Sequence, residues 1–259
     1  MNKTNIEWTE YTWNPVTGCS PCSPGCEHCY AKRMAKRLVG RWGYPSGDGF
    51  AVTVHPDKLG EPRRWKKPRV IFVCSMGDLF HKDVTRGAQT NVFWTMADCP
   101  QHRFLLLTKR PDRMQRLLND QDFARTVTHG SNWPLPNVGL GTTVESDEQR
   151  GRLEDLIETP AAMRYVSVEP MLGPLDIYRS LAWIDWVIAG GENGPGARGA
   201  DPQWFYDLRD QCVNAGAPFF FKGRGAAAGG TESYRRTLDG KAWHQRPAFL
   251  TLPKSGGHP

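Results

Sequence analysis

The chain alternates short apolar runs with polar turns and with segments of helical periodicity. Residues 69–74 (RVIFVC) are apolar at almost every position, whereas residues 31–38 (AKRMAKRL) carry their apolar side chains on one helical face. Continuous apolar strands that alternate with helices are typical of a parallel sheet buried on both faces. The strands predicted in this way span residues 11–15, 51–55, 69–74, 103–107, 137–144, 164–168, 185–189 and 218–221.

The strands and the segments between them make about seven or eight βα units, which predicts an α/β fold, a complete or partial (β/α)8-type barrel. The rhythm stops after residue 222. We therefore predict a barrel over residues 1–222 and a C-terminal extension over residues 223–259, either a cover on the barrel or a tail. Ser146 is the predicted N-cap of the third helix. Helices are predicted at residues 31–38, 112–118, 146–157 and 202–214.

Nearly every predicted strand runs into a polar or charged residue at its carboxyl end. In a parallel barrel these ends form one face, and the active sites of such barrels lie there. Loops at a protein surface are polar in any case, and this explains part of the pattern. The strand-end residues are Asp78, Lys109, Glu145, Glu169, Glu192 and Lys222. Their convergence on one face predicts a functional site.

A cysteine-rich loop follows the first predicted strand. Four of the seven cysteines, Cys19, Cys22, Cys26 and Cys29, lie within eleven residues, with the spacing C-x2-C-x3-C-x2-C. Thiolates this close in sequence are usually metal ligands in an intracellular chain. A structural zinc site normally uses two CxxC pairs separated by roughly a dozen residues. The shorter separation favours an iron–sulfur cluster, which accepts several thiolates from one loop.

The spacing leaves two ligand triplets open. Cys22, Cys26 and Cys29 form C-x3-C-x2-C, and Cys19, Cys26 and Cys29 form C-x6-C-x2-C. Either triplet leaves one iron of a [4Fe–4S] cluster without a protein ligand, unless the fourth cysteine closes it. An open iron can bind a substrate or cofactor, whereas a closed cluster can only transfer electrons or stabilise the structure.

Composition places the chain among soluble globular proteins. It has 259 residues, of which 39% are hydrophobic and 23% are charged, enough for a sizeable core. No apolar run reaches the roughly 20 residues that span a bilayer, and residues 1–5 lack the apolar segment of a signal peptide. The odd number of cysteines argues against a secreted disulfide framework. We therefore expect a cytoplasmic protein without a membrane partner.

The formal net charge of +6 is compatible with a polyanionic partner such as nucleic acid. The densest basic cluster includes an aromatic residue, and a second basic segment follows the cysteine-rich loop. Each cluster alone is explained as a solvated face, but together they make nucleic acid the leading substrate class. The predicted nucleic-acid-binding residues are Arg63, Arg64, Trp65, Lys66 and Lys67 in the first cluster and Lys36 and Arg37 in the second.

The spacing C-x3-C-x2-C followed by an aromatic residue, Tyr30, resembles the radical S-adenosylmethionine (SAM) superfamily. The resemblance implies that the amino and carboxylate groups of SAM chelate the open iron of a [4Fe–4S] cluster. An electron passed to the sulfonium then yields a 5′-deoxyadenosyl radical. Radical SAM enzymes also use a Gly-Gly-Glu near the SAM amine. Here that sequence ends at Glu192 and follows a late strand, so contact with SAM and contact with substrate both stay open.

The segments TWNPVTGCSPCSPGCEHCYA, IFVCSMGDLFH, FLLLTKRPDRM, YVSVEPMLGP, WVIAGGENGPGAR and PFFFKGRG cover the chain nearly end to end. They resemble a phage- and prophage-associated radical-SAM-like family often called the three-Cys-motif family. That resemblance implies Cys19, Cys26 and Cys29 as cluster ligands, with Cys22 as the rival first ligand. Because the family is often found beside a dedicated partner protein, it also implies a protein partner.

A more distant resemblance is to the spore photoproduct lyase branch of radical SAM enzymes. In that branch a strand ending in a Cys/Ser/Asp cluster precedes a strand ending in Thr-Lys. The resemblance implies that Lys109 pairs with the SAM carboxylate, and that Cys74 donates a hydrogen atom to a product radical, against the alternative of a buried strand cysteine. The remaining predicted SAM-binding residues are Ser75 and Asp78 at the amino group or ribose, Thr142 and Glu145 at the adenosine, and the strand-end residues Thr108, Glu169 and Glu192.

Three functional hypotheses follow. The first is a radical SAM enzyme that abstracts hydrogen from nucleic acid in a repair or modification reaction. The second keeps this chemistry but places it on a protein or peptide, such as the partner. The third is a non-catalytic binding protein in which all four loop cysteines hold a structural metal.

Overall fold

The computed structural model describes residues 2–128 and 132–252. The end of the predicted C-terminal extension, residues 253–259, lies outside the described residues. An eight-stranded sheet has the order β1-β2-β5-β6-β7-β8-β9-β10, and β3 pairs with β4 beside it. The strands are β1 Asn2–Lys3, β2 Tyr11–Trp13, β3 Val16–Thr17, β4 Thr53–Val54, β5 Val70–Val73, β6 Arg103–Thr108, β7 Val138–Thr143, β8 Met163–Val168, β9 Trp186–Gly190 and β10 Phe219–Gly223.

Seven strands, β2 and β5 to β10, are parallel and curl into a half-barrel, and β1 pairs antiparallel with β2. The predicted α/β fold with a partial barrel is confirmed. All four residues of β5 and all five of β9 are buried, as their continuous apolar runs predict. The predicted strand at residues 51–55 is not part of the barrel; its central residues form β4 of the small sheet.

Seven α-helices surround the sheet, and within the described residues none is both long and apolar enough to cross a membrane. They are α1 Tyr30–Leu38, α2 Arg86–Ala97, α3 Pro111–Leu118, α4 Gln121–Thr128, α5 Arg152–Ile157, α6 Pro202–Ala215 and α7 Glu232–Arg236. The sequence did not predict α2, because its buried residues include Gln89 and Thr95 beside the apolar ones and give no single apolar face. The predicted helix at 146–157 is a 3-10 turn followed by α5. The Ser146 hydroxyl donates a hydrogen bond to the Gln149 side chain and accepts none from a backbone N–H of the turn, so it is not a side-chain N-cap.

Two separate apolar cores pack on the two faces of the sheet. The outer core lies between the sheet and the helices and includes Trp13, Phe104 and Phe205. The inner core fills the base of the half-barrel, where the ring of Trp8 lies 4.7 Å from that of Phe72. The inner core also contains Leu105, Met163, Tyr165, Trp186, Ile188, Phe220 and Leu250. Aromatic side chains therefore close the base, whereas the end formed by the carboxyl termini of the strands is polar.

The C-terminal extension covers the edge of β10. The backbone N–H of Phe221 donates to Trp243 O at 2.7 Å, and Gln245 N–H donates to Phe219 O at 3.1 Å. Phe249 and Leu250 then pack into the inner core. These contacts hold residues 243–250 against the sheet, while the division of the chain at residue 222 and the role of the extension as a cover or a tail stay predictions.

The buried His102, at the amino end of β6, should make the protein less stable in acid. The side chain is fully buried, its Nε2 lies 3.1 Å from Pro62 O, and its Nδ1 has no partner among the described residues. Burial lowers the pKa of His102 below its usual value, and Arg69 adds to this. Because the folded pKa is depressed, the stabilisation is present above the unfolded value of about 6.5 and is lost as the pH falls through it.

We expect the free energy of unfolding in urea to fall by up to about 1.4 kcal/mol per pH unit for this one proton below about pH 6.5. The variant His102→Gln should show a shallower pH dependence, whatever its stability at neutral pH. An identical slope in the wild type and the variant would show that His102 does not titrate on unfolding.

Candidate functional site

The cysteine-rich loop lies between β3 and α1, over the carboxyl ends of the half-barrel strands. Gly18 forms a bridge with Gly77, and its N–H donates to Met76 O at 2.9 Å. The φ of Gly18 is +84°, and a Cβ there would lie 2.2 Å from Ala51 O. Only glycine fits this position. The start of the loop is therefore fixed beside the turn that follows β5.

The four loop thiols are free, and the fold shifts the pKa values of Cys19, Cys22 and Cys26. The Cys22 thiol donates a hydrogen bond to Cys26, and this bond, with the Lys109 ammonium, lowers the pKa of Cys26 to about 4 although burial opposes the shift. The same bond and burial raise the pKa of Cys22. Burial raises the pKa of Cys19 to about 11, with Asp78 adding to this and Arg110 opposing it. Cys26 is therefore a thiolate at neutral pH.

Arg110 joins the loop to the strand ends. Its guanidinium donates to Asp78 at 2.9 Å, to Cys19 Sγ at 3.3 Å and to Ser20 O at 2.8 Å. Asp78 is buried and also accepts hydrogen bonds from Thr108 Oγ1 at 2.8 and 3.0 Å. Asp78 therefore fixes the guanidinium against the loop. Whether Asp78 also contacts SAM stays a prediction.

Glu145 is the fully buried centre of a second charged group. Its carboxylate accepts hydrogen bonds from Lys109 Nζ, from Ser23 Oγ and, at 2.8 Å, from Arg152 Nη1. Burial alone would raise the pKa of Glu145, but these partners more than offset burial and lower it. A Cβ at Gly25 would lie 2.5 Å from Glu145 Oε1 and 2.8 Å from Lys109 Nζ. The cysteine-rich loop therefore rests directly on this ion pair.

Two arginines connect the loop and the helix after it to the segment that follows β9. Arg198 donates to the buried Glu192 carboxylate, to Glu27 at 3.0 Å and to Pro24 O at 3.0 Å. Arg33 of α1 donates to Asn193 O at 3.1 Å. Glu192 is thus brought to the mouth, as predicted from its strand end, and its described partner there is Arg198.

The remaining strand-end residues also lie at this mouth. Lys222 forms an ion pair with Glu169, and both side chains are about one-fifth exposed, at 21% and 23%. The Tyr30 hydroxyl donates to Ser75 O, and Ser75 Oγ donates to Asn14. Thr142 Oγ1 donates to Thr108 O at 2.9 Å. The residues predicted to bind SAM are therefore brought to one face, and their role in binding stays a prediction.

Cys74 is buried in the outer core, and burial raises the pKa of its thiol to about 12. Its φ of +57° is unusual for a residue with a side chain. These features agree with the alternative of a buried strand cysteine, and the hydrogen-donor role stays a prediction.

The structure separates the two basic clusters. Trp65 precedes β5 and packs against His102, which precedes β6, so the cluster at 63–67 lies at the amino ends of the strands. The Trp65 ring also contacts the Tyr11 ring, and the guanidinium carbon of Arg69 lies 4.7 Å from the centroid of the Trp65 ring. Lys36 and Arg37 lie on α1, directly after the cysteine-rich loop. The two clusters therefore do not form one continuous surface.

Several mouth residues were not predicted. Arg110 adjoins the predicted Lys109 in the sequence, so its position at a strand end was an available signal. Ser23, Arg152 and Arg198 had none, because they reach their partners only in the folded chain. The bond from Arg198 to Glu27, for example, spans 171 positions.

The four thiols are of the donor type that an iron–sulfur cluster takes. In the part of the chain that the structure describes, no three His, Cys, Asp or Glu side chains are grouped closely enough to hold one metal ion. An iron–sulfur cluster takes each thiolate on a different iron, so its ligands need not converge on one point. The all-thiol donor set fits such a cluster, and the cations of Lys109 beside Cys26 and of Arg110 beside Cys19 suit its thiolates.

A protein-family model described as "Protein of unknown function (DUF5131)" matches residues 3–247. The chain belongs to the DUF5131 family. No curated protein matches it.

Two solved structures extend the comparison of this DUF5131 chain at the level of fold. Spore photoproduct lyase complexed with dinucleoside spore photoproduct has a TM-score of 0.53 at 11% identity, covering 85% of this chain and 79% of that chain. A cysteine-to-serine mutant of spore photoproduct lyase gives 0.52 at 12% identity with the same coverage. The half-barrel of this DUF5131 protein is therefore similar to the radical SAM fold of spore photoproduct lyase.

Proposed function

We propose that the protein is a radical SAM enzyme that acts on nucleic acid. The observation that carries the proposal is the loop of four free thiols held over the polar mouth of a half-barrel. We assign Cys19, Cys26 and Cys29 as ligands of a [4Fe–4S] cluster, with Cys22 as the rival of Cys19. When bound, the cluster and SAM supply reductive cleavage of SAM and hydrogen abstraction.

In this proposal the chain positions the thiols and the cofactor. Arg110, fixed by Asp78, holds Cys19 in place, and Glu145 orients Lys109. An ammonium has three donors, and the described contacts of Lys109 Nζ use two, to Glu145 and Ser23. The third is available for the SAM carboxylate. The other assigned SAM-binding residues are Ser75, Asp78, Thr108, Thr142, Glu145, Glu169 and Glu192, with Cys74 as hydrogen donor.

Charge and fold support nucleic acid as the substrate class. The chain carries a net charge of +6, and four basic residues of α1 lie beside the mouth. A structure of similar fold was solved with a dinucleoside photoproduct. The narrower assignment to the phage-associated three-Cys-motif family, with a dedicated protein partner and a cytoplasmic location, is part of the same proposal.

The test is anaerobic reconstitution with iron and sulfide, followed by incubation with SAM and a reductant. We expect a brown protein with about four irons per chain that releases 5′-deoxyadenosine. A colourless protein with one stoichiometric zinc would refute the enzyme and favour the metal-stapled binding protein. If a peptide from the partner stimulates the release of 5′-deoxyadenosine and neither DNA nor RNA does, the result would favour a protein substrate.

A further inference from the structure

The segment between Glu27 and Asp48 has an unusual composition. It contains five Lys or Arg residues, Lys32, Arg33, Lys36, Arg37 and Arg41, and no Asp or Glu. Four of these five are exposed and have no ion pair with a described residue; Arg33 instead donates to Asn193 O. The segment is therefore a strip of uncompensated positive charge that starts at the cysteine-rich loop.

Apolar side chains are exposed along the same strip. Tyr30 and Met34, with the basic Arg37, recur at i, i+4 and i+7 on α1 and so lie on one face of the helix. Tyr30 and Met34 are half-exposed, and the Tyr30 hydroxyl is bonded to Ser75 O at the mouth. This face therefore runs from the mouth along α1. A helix of nine residues is about 13 Å long, the length of about four nucleotides at a rise of about 3.4 Å.

Trp42 lies beyond the end of α1 and is the most exposed large apolar side chain of the described residues, at 74%. Its φ is +49°, a conformation that costs energy for a bulky residue. The surrounding turn is closed by bonds from Gly40 N to Pro45 O and from Tyr44 N to Arg41 O, and Lys58 Nζ donates to Trp42 O. Tyr44 is buried against α1. The turn thus holds the backbone of Trp42 in a costly conformation that leaves most of its indole ring in solvent.

We infer that this strip, which we call the α1 surface (Tyr30, Met34, Lys36, Arg37, Arg41 and Trp42), binds a single strand of nucleic acid. Basic side chains contact the phosphates, and Trp42 stacks on a base. Single strands are bound by positive charge combined with aromatic rings, because unpaired bases have free faces, whereas the bases of a duplex are already stacked. The strand then enters the mouth at Tyr30, which gives the proposed enzyme an unpaired nucleotide as its substrate and rests on the proposed function to that extent.

The cluster at 63–67 is a weaker candidate for this role. Arg63 is paired with Asp98, and Trp65 is partly buried beneath Arg69. That cluster also lies at the end of the barrel opposite the thiols. An acidic protein is the other class of partner that positive charge attracts, but charge alone does not account for an indole ring held in solvent.

The test is the fluorescence anisotropy of a labelled oligodeoxythymidylate of about 12 nucleotides with the full-length reconstituted protein, without SAM. We expect Trp42→Ala to weaken binding about 10-fold, the effect of removing one base–aromatic stack, and Trp42→Phe to retain most of the affinity. The matched control is Trp183→Ala, which removes another exposed tryptophan, 56% exposed and before the amino end of β9. This control should bind as the wild type does.

The double variant Lys36→Gln/Arg37→Gln should lower the slope of log K against log salt by about 1.4, or about 0.7 for each phosphate that is no longer neutralised. The inference would be overturned if Trp42→Ala bound with wild-type affinity, or if the protein bound a duplex or polyglutamate more tightly than the single strand. It would also be overturned if the salt slope fell only in Lys66→Gln/Lys67→Gln. If Trp42→Ala does not fold, tryptophan fluorescence tests the same stack. The oligonucleotide should then quench the fluorescence of Trp42→Phe less than that of Trp183→Phe, because the stacked ring is missing only in Trp42→Phe. Because binding is measured without SAM, failure of SAM cleavage would refute the proposed function separately.

Discussion

Replacing Cys26 or Cys29 by alanine should leave the reconstituted protein without its cluster and lower SAM cleavage by more than about 100-fold. Loss of an outer-shell partner already costs about 10- to 100-fold at metal sites, and a direct ligand costs more. Cys19→Ala should behave in the same way, while Cys22→Ala keeps both iron and activity. The measurements are iron and sulfide content, the visible absorption of the cluster, and the release of 5′-deoxyadenosine.

Cys99→Ala and Cys212→Ala are the matched controls, because both thiols are buried in the outer core away from the loop. Both variants should retain the cluster. If Cys22→Ala loses the cluster and Cys19→Ala keeps it, the ligand triplet is instead Cys22, Cys26 and Cys29. A requirement for all four thiols would leave no iron for SAM, which would contradict the proposed chemistry.

Glu145→Ala should lower the free energy of unfolding by about 3 kcal/mol, because it leaves two largely buried cations without a counter-charge. Lys109 and Arg152, its two cationic partners, are only 19% and 14% exposed. For a chain of this length the loss corresponds to a decrease in Tm of roughly 6 to 12 °C. Urea unfolding at neutral pH measures it.

Asp112→Ala is the control for Glu145→Ala, because it removes a carboxylate from an exposed pair with Arg116 on α3. Exposed i,i+4 pairs contribute only about 0.3–0.5 kcal/mol. Equal losses in the two variants would mean that burial of Glu145 adds nothing. Lys109→Met/Arg152→Met in the Glu145→Ala background should recover part of the stability, since no buried charge would remain unpaired.

The sequence predicted the barrel strands because burial on both faces leaves an unmistakable apolar run, as in β5 and β9. It did not predict α2 or α4. The buried side of α2 includes polar residues such as Gln89. A strand signal at residues 51–55 proved local, since β4 pairs only with β3.

The mouth was predictable where it depends on strand ends. Asp78, Lys109, Glu145 and Glu192 all lie there, because the carboxyl ends of parallel strands share one face. Their partners were not predictable, since a salt bridge such as that between Arg198 and Glu27 depends on loop paths that no local pattern encodes. For the same reason, two basic clusters that look alike in sequence lie at opposite ends of the barrel.

The sheet order bears on how the protein is made. The parallel strands β2 and β5 to β10 lie side by side in the same order as in the sequence. The sheet can therefore extend strand by strand as the chain leaves the ribosome, amino end first. The base cannot. Trp8 packs against Tyr165 and Trp186, which follow it far along the chain, and Leu250 joins them only after all ten described strands have been made. The nascent half-barrel therefore carries an exposed aromatic floor until Leu250 has been synthesised, and exposed apolar surface of this kind favours aggregation.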